Sequence, residues 1–97
     1  IGSNSGTFTL SNAGTITGSG FGLTFTGAGN GSIASIIGTG AGTVTKSGNG
    51  TWTFSGANTY TGLTTVSAGT FVASNALALG TAASGTSVTS GATLNIN

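Results

Sequence analysis

The residues that could carry out chemistry lie close together in this sequence. Lys46 is the only charged side chain, and Trp52 and Tyr60, the only Trp and the only Tyr, follow soon after it. The chain contains no Asp, Glu, His or Cys. Glycoside hydrolysis by paired carboxylates, Ser–His–Asp catalysis and metal binding all need those residue types. The composition therefore predicts no catalytic, metal-ligating or cofactor-binding residue, no cofactor and no enzymatic activity.

A serine–lysine pair is the one nucleophilic arrangement that the composition permits. Ser47 follows Lys46 directly, but adjacent residues of a strand point to opposite faces, so the amine would not meet the hydroxyl. We therefore interpret Lys46 as a solvated side chain at a strand end, where a charge discourages pairing of exposed strand edges.

Trp52 and Tyr60 could instead form an aromatic pair that stacks against a sugar. Alternation with Thr51 and Thr53 predicts that Trp52 points into a core, and Tyr60 is expected at a corner with its hydroxyl in water. A glycan or surface ligand, and with it an adhesin function, remains an alternative.

The near absence of charge restricts the partners of the chain. A net charge of +1 gives copies almost no electrostatic repulsion, which favours association of the chain with itself or with neighbouring repeats. Binding of nucleic acid needs several basic side chains to neutralise phosphates, so a nucleic-acid partner is not expected. The sequence also lacks a long apolar run, and we expect no membrane span in it.

A short phrase that begins with Gly recurs along the chain and predicts the elements that hold these residues. Its copies are GTFTL at 6–10, GTITG at 14–18, GLTFT at 22–26, GTVTK at 42–46, GTWTF at 50–54, GTFVA at 69–73 and GATLNI at 91–96. Apolar and hydroxylated residues alternate in these phrases, which is the pattern of a half-buried strand, and the many glycines disfavour helix.

The spacing of the phrases predicts how the strands are connected. Neighbouring phrases are separated by Gly-rich turns, and the longer intervals of about twenty residues match one solenoid coil of three short strands. We therefore predict an all-β fold and favour, over a β-meander, a single β-solenoid segment over residues 1–97 with about four or five coils.

The alternation also predicts a structural core of apolar side chains, with Thr and Ser outside. The expected core residues are Phe8, Leu10, Ile16, Leu23, Phe25, Val44, Trp52, Phe54, Val66, Phe71, Leu94 and Ile96. Nothing in the sequence resembles the polar caps of soluble solenoids, so we expect the open strand edges to join further coils or other copies.

Pairs of threonines separated by one residue suggest a second alternative function. They occur at 7/9, 15/17, 24/26, 43/45 and 51/53. Aligned in one flat array, these hydroxyls and methyls would resemble the ice-binding face of some β-solenoid antifreeze proteins. Such an array needs equal coil lengths, whereas the spacing of the phrases varies.

Residues 46–74 resemble the passenger-associated β-strand repeat of bacterial autotransporters, and 42–80 is the clearest repeat of this kind. The family pattern is kept at Lys46, Gly48, Gly50, Thr51, Gly56, Asn58, Thr59, Tyr60, Thr61, Gly62, Thr64 and Gly69. Leu63 stands where the family commonly has Gly. The resemblance implies a right-handed β-helix in a large secreted or surface-displayed bacterial protein, with the repeat as spacer and secretion-competent scaffold.

These observations lead to one functional hypothesis. We expect a non-enzymatic structural protein of the bacterial surface or extracellular space, a solenoid fibre subunit or stalk segment that associates end to end through strand pairing.

Overall fold

The computed structural model describes residues 2, 6–11, 14–75, 77–80 and 85–96, and all the regular structure in them is β-strand. The strands are β1 (Thr7–Leu10), β2 (Thr15–Thr17), β3 (Leu23–Phe25), β4 (Asn30–Ile33), β5 (Ile36–Gly38), β6 (Val44–Lys46), β7 (Thr51–Phe54), β8 (Thr64–Val66), β9 (Thr70–Ala73), β10 (Thr86–Val88) and β11 (Thr93–Ile96). Within the described ranges, no helix is long and apolar enough to cross a membrane.

The strands form three parallel sheets, which are the three faces of a solenoid. Face one is a five-stranded sheet of order β1-β4-β7-β9-β11, face two pairs β2 with β5, and face three has the order β3-β6-β8-β10. The chain visits these faces in turn and then begins the next coil beside the previous one. The predicted all-β solenoid is therefore confirmed, with about four coils.

The register of the strands explains the two spacings in the sequence. Thr24 of β3 is paired with Thr45 of β6, and Thr45 is paired with Thr65 of β8, so each step to the next coil takes about twenty residues. Phrases eight residues apart, such as those that contain β1 and β2, lie on successive faces of the solenoid.

Face two becomes irregular in the third coil but keeps its backbone hydrogen bonds. The amide of Thr59 donates to the carbonyl of Ile37 at 3.0 Å, and the amide of Thr61 donates to the carbonyl of Gly40 at 2.7 Å. Residues 55–63 therefore follow the coil beneath them without forming a strand.

The core lies along the axis between the three faces, and the structure places the expected core residues in three groups. Six of them are buried, namely Phe25, Val44, Trp52, Phe54, Val66 and Phe71. Five are half-buried and pack against the buried cluster, namely Phe8, Leu10, Ile16, Leu23 and Leu94. Ile96 is 64% exposed. The prediction for Ile96 was wrong because β11 is an outer strand of face one, where the described residues pack against it from one side.

Aromatic rings from different coils pack together inside the core. The rings of Phe54 and Phe71 stack with centroids 4.1 Å apart, and Phe25 meets Phe54 edge-on at 5.0 Å. The ring of Phe25 also lies 5.3 Å from that of Trp52. Offset and edge-on arrangements of this kind add to the stabilisation that burial alone gives.

Candidate functional site

The segment that holds the charge, the Trp and the Tyr alternates between inside and outside for about one whole coil. Its buried residues are Lys46, Gly50, Trp52, Phe54, Gly56, Asn58, Tyr60, Gly62, Thr64 and Val66, and Gly48 is half-buried. Because the period of two continues through the corners as well as the strands, polar side chains are carried into the core.

Lys46 is fully buried, with no exposed surface, rather than solvated at a strand edge. It belongs to a column of inward-pointing side chains on face three, where it is in register with Phe25 of β3 on one side and Val66 of β8 on the other. Its Nζ donates to the carbonyl oxygens of Ser47 at 3.0 Å, Gly48 at 2.8 Å and Ala68 at 3.3 Å. The expectation of a solvated lysine was wrong because strand phase, and not charge, sets the direction of this side chain.

Burial lowers the pKa of Lys46 from its usual value of 10.5, because desolvation disfavours the charged form. Its acceptors are backbone carbonyls, and the sequence provides no carboxylate side chain as a counter-charge. The ammonium group therefore links two successive corners of the solenoid, 46–50 and 66–69, through hydrogen bonds alone.

Asn58 makes a second link between coils, on the irregular face two. Its Oδ1 accepts from the amide of Ile37 at 2.8 Å, and its Nδ2 donates to the carbonyl of Ala78 at 2.8 Å. Ile37 belongs to the preceding coil and Ala78 to the following one, so the amide side chain adds hydrogen bonds to both neighbouring coils where this face has no strand.

Tyr60 is also fully buried, and its hydroxyl is hydrogen-bonded to Oγ1 of Thr64. Burial raises the pKa of Tyr60 above its usual value of 10.0, and the hydrogen bond to Thr64 opposes that shift. The expectation of a hydroxyl in water was wrong, because Tyr60 is in phase with Trp52 and points to the same interior.

The buried polar segment coincides with the part of the chain that matches a known family. Residues 44–73 match the passenger-associated-transport-repeat family. This confirms the resemblance predicted from the sequence. Neither a curated protein nor a solved structure matches the chain.

The fold explains most of the residues that carry the resemblance to this repeat. Those that are buried are Lys46, Gly50, Gly56, Asn58, Tyr60, Gly62 and Thr64, whereas Thr51, Thr59 and Thr61 are exposed. The repeat is thus largely a pattern of inward side chains and closely approaching backbone within one coil. Leu63, where the family commonly has Gly, is 39% exposed, so its larger side chain extends outward.

The burial and contacts of these residues argue against both the sugar-stacking pair and the serine–lysine pair that the sequence allowed. Trp52 and Tyr60 have no exposed surface, so they cannot stack together against a sugar. Lys46 contacts the carbonyl oxygen of Ser47, an acceptor that cannot act as a nucleophile. What this arrangement does chemically is to hold adjacent coils together with buried hydrogen bonds.

The threonine pairs do not form one array. The pairs at 7/9 and 51/53 belong to face one, the pair at 15/17 belongs to face two, and Thr24 and Thr45 are register partners on face three. The alternative of one flat array is therefore not supported, because a step of eight residues leads to another face of the solenoid.

Sequence reasoning missed Asn58 as a contact between coils, although a signal for it was present. Trp52 and Phe54 were assigned to the interior, and counting onward by two from Phe54 gives Gly56, Asn58 and Tyr60. The same count backward from Trp52 reaches Lys46. Extending the period of two beyond the strand would have placed all three polar side chains inside.

Proposed function

We propose that the chain is a non-enzymatic structural segment of a secreted or surface-displayed bacterial protein, a solenoid stalk or fibre subunit that associates end to end. The match of residues 44–73 to the passenger-associated-transport-repeat and the solenoid fold both support a passenger segment. The proposal of end-to-end association rests on the geometry of the coils.

The observation that carries the proposal is the exposure of Ile96. Ile96 continues an inward column of face one, where its register partner Ala73 is buried and Phe54, the partner of Ala73, is also buried. On face three, Val88 is 41% exposed and continues the column of Lys46 and Val66. These side chains have the orientation of core residues, and another coil stacked on β10 and β11 would bury them.

The backbone of the outer strands also favours stacking along the solenoid axis. β1 and β11 are the outer strands of face one, and β3 and β10 are the outer strands of face three. A parallel strand added at an outer edge would continue the ladder of hydrogen bonds along the axis, as in other cases of strand addition. Each added coil would lengthen the stalk by about 4.8 Å.

Electrostatics favours this association as well. The one charged side chain, Lys46, is fully buried, so no charged side chain lies on the surface that a second copy would approach. Copies therefore lack the charge repulsion that keeps most soluble domains apart.

The experiment measures the mass of the assembly by light scattering over a range of concentrations and examines it by electron microscopy. We expect oligomers or filaments of wild-type chain, and we expect Ile96→Lys to reduce them, because a charge would enter the docking interface. Asn95→Lys is the matched control, since Asn95 precedes Ile96 on β11 and is also exposed, but points to the outside of the solenoid rather than toward its axis.

Two results would contradict the proposal. Wild-type chain that stays monomeric at the highest concentration would exclude end-to-end association. An equal effect of Ile96→Lys and Asn95→Lys would mean that the interface does not involve the inward column of the last coil.

A further inference from the structure

The corner around Lys46 has the features of a binding site, although its occupant is part of the chain. The corner site is defined here as residues 46–50 together with 66–69, the turns that follow β6 and β8 in two successive coils. Nζ of Lys46 lies within hydrogen-bonding distance of carbonyl oxygens from both turns, at 2.8 Å from Gly48, 3.0 Å from Ser47 and 3.3 Å from Ala68.

The number and type of these acceptors fit a cation. An ammonium group has three donors, and the corner site presents three carbonyl oxygens to it. Carbonyl oxygens arranged in this way can replace the hydration shell of a monovalent cation, as they do in the selectivity filters of potassium channels. Because the chain has no Asp or Glu, these carbonyl dipoles are the compensation that the buried charge receives.

The site depends on the absence of a side chain at Gly69. A Cβ atom at Gly69 would lie 2.8 Å from Nζ of Lys46 and 2.5 Å from the carbonyl oxygens of both Gly48 and Gly50. The space that a side chain at residue 69 would fill is thus occupied by the ammonium group and the carbonyl oxygens. Gly69 also has a φ of +66°, a backbone conformation that residues other than glycine rarely adopt. The site accepts a small head group and leaves little room for a bulky one.

We propose that the corner site is a backbone-built binding site for small monovalent cations, with a primary ammonium as its preferred ligand, and that Lys46 is its tethered ligand. The oxygen atoms belong to the backbone of the two turns. They therefore remain when the lysine side chain is removed, and an external cation can then take its place.

The test removes the tether and supplies the missing fragment. Lys46→Ala keeps Cβ and lacks the part of the side chain that corresponds to n-propylammonium. Folding is followed by circular dichroism in urea, with added n-propylammonium chloride, potassium chloride, tetramethylammonium chloride or n-propanol at equal concentration. Tetramethylammonium controls for ionic strength and bulk, and n-propanol controls for the apolar chain without the charge.

We expect small cations to raise the folding stability of Lys46→Ala selectively. A ligand at ten times its Kd raises the folding equilibrium constant about tenfold. n-Propylammonium should raise the folding equilibrium constant of Lys46→Ala most, and potassium should raise it less. Tetramethylammonium and n-propanol should each affect Lys46→Ala no more than they affect wild-type chain. Wild-type chain should not distinguish between the salts, because Lys46 already fills its site.

Lys46→Met keeps the proposal testable if Lys46→Ala does not fold without additives. In that case n-propylammonium should restore the strand signal of Lys46→Ala and should have little effect on Lys46→Met, whose side chain fills the path to the site. Equal behaviour of Lys46→Ala in all four additives, or no recovery in any of them, would overturn the proposal.

Discussion

The indole ring of Trp52 covers Gly31, its register partner on the preceding coil. A Cβ atom at Gly31 would lie 2.3 Å from Cε3 of Trp52, which is closer than two such atoms can approach. The ring extends past Gly31 toward Phe8 on the coil beyond, and the centroids of the two rings are 5.9 Å apart. One missing side chain thus allows a contact that spans three coils.

We expect Gly31→Ala to destabilise the protein by about 1–3 kcal/mol, because overpacking forces a buried ring out of its position. Urea unfolding followed by circular dichroism and by the fluorescence of the single Trp measures the change. Gly2→Ala is the control, since a Cβ there would be 3.5 Å from its nearest neighbour, an ordinary contact. Equal stability of the two variants would show that Trp52 does not need the space at Gly31.

The fold could be predicted from the sequence because each strand repeats the same alternation. Trp52, Phe54 and Phe71 were assigned to the core from their immediate neighbours alone, and they are buried. Ile96 has the same local pattern and is exposed, because its burial depends on what packs against β11 and not on its own strand.

The same alternation also points Lys46 and Asn58 inward, but the preference of these residue types for the surface opposed the pattern. Lysine is rarely buried without a partner, and the carbonyls that stabilise Lys46 include one from Ala68, a residue of the next coil. Likewise, Asn58 is buried because Ile37 and Ala78 meet it from both neighbouring coils. Such partners become visible when the register between coils is known.

Asn58→Ala should be one of the most harmful substitutions in the chain. It leaves the buried amide of Ile37 and the carbonyl of Ala78 without their partner, at a cost of about 1–3 kcal/mol for each group. Asn95→Ala is a control at an exposed position and should change stability by less than about 0.5 kcal/mol. Urea midpoints that coincide for the two variants would mean that Asn58 does not connect the coils.

The burial of Lys46 makes trypsin a direct probe of coil opening. Lys46 is the only Lys or Arg, so trypsin can cut the chain at one place, after a residue with no exposed surface. We expect the native chain to resist cleavage and the chain in urea to give fragments 1–46 and 47–97, because cleavage needs an opened backbone.

Ser90→Lys provides the positive control for this protease experiment. Ser90 lies in an exposed turn between β10 and β11, so the variant should be cut there under native conditions while the site at Lys46 stays protected. Rapid native cleavage after Lys46 would contradict the burial of its side chain.

The two titratable side chains should give stability an unusually simple dependence on alkaline pH. The pKa of Lys46 is lowered in the folded state, so between that lowered value and 10.5 the unfolded chain binds more protons and stability rises with pH. The pKa of Tyr60 is raised in the folded state, so its contribution is complete below 10.0 and is lost as pH rises beyond it. We expect unfolding free energies, measured in urea from about pH 8 to 12, to pass through a maximum at about pH 10. Lys46→Met should remove the rise and Tyr60→Phe the fall, and a profile that neither substitution changes would contradict both assignments.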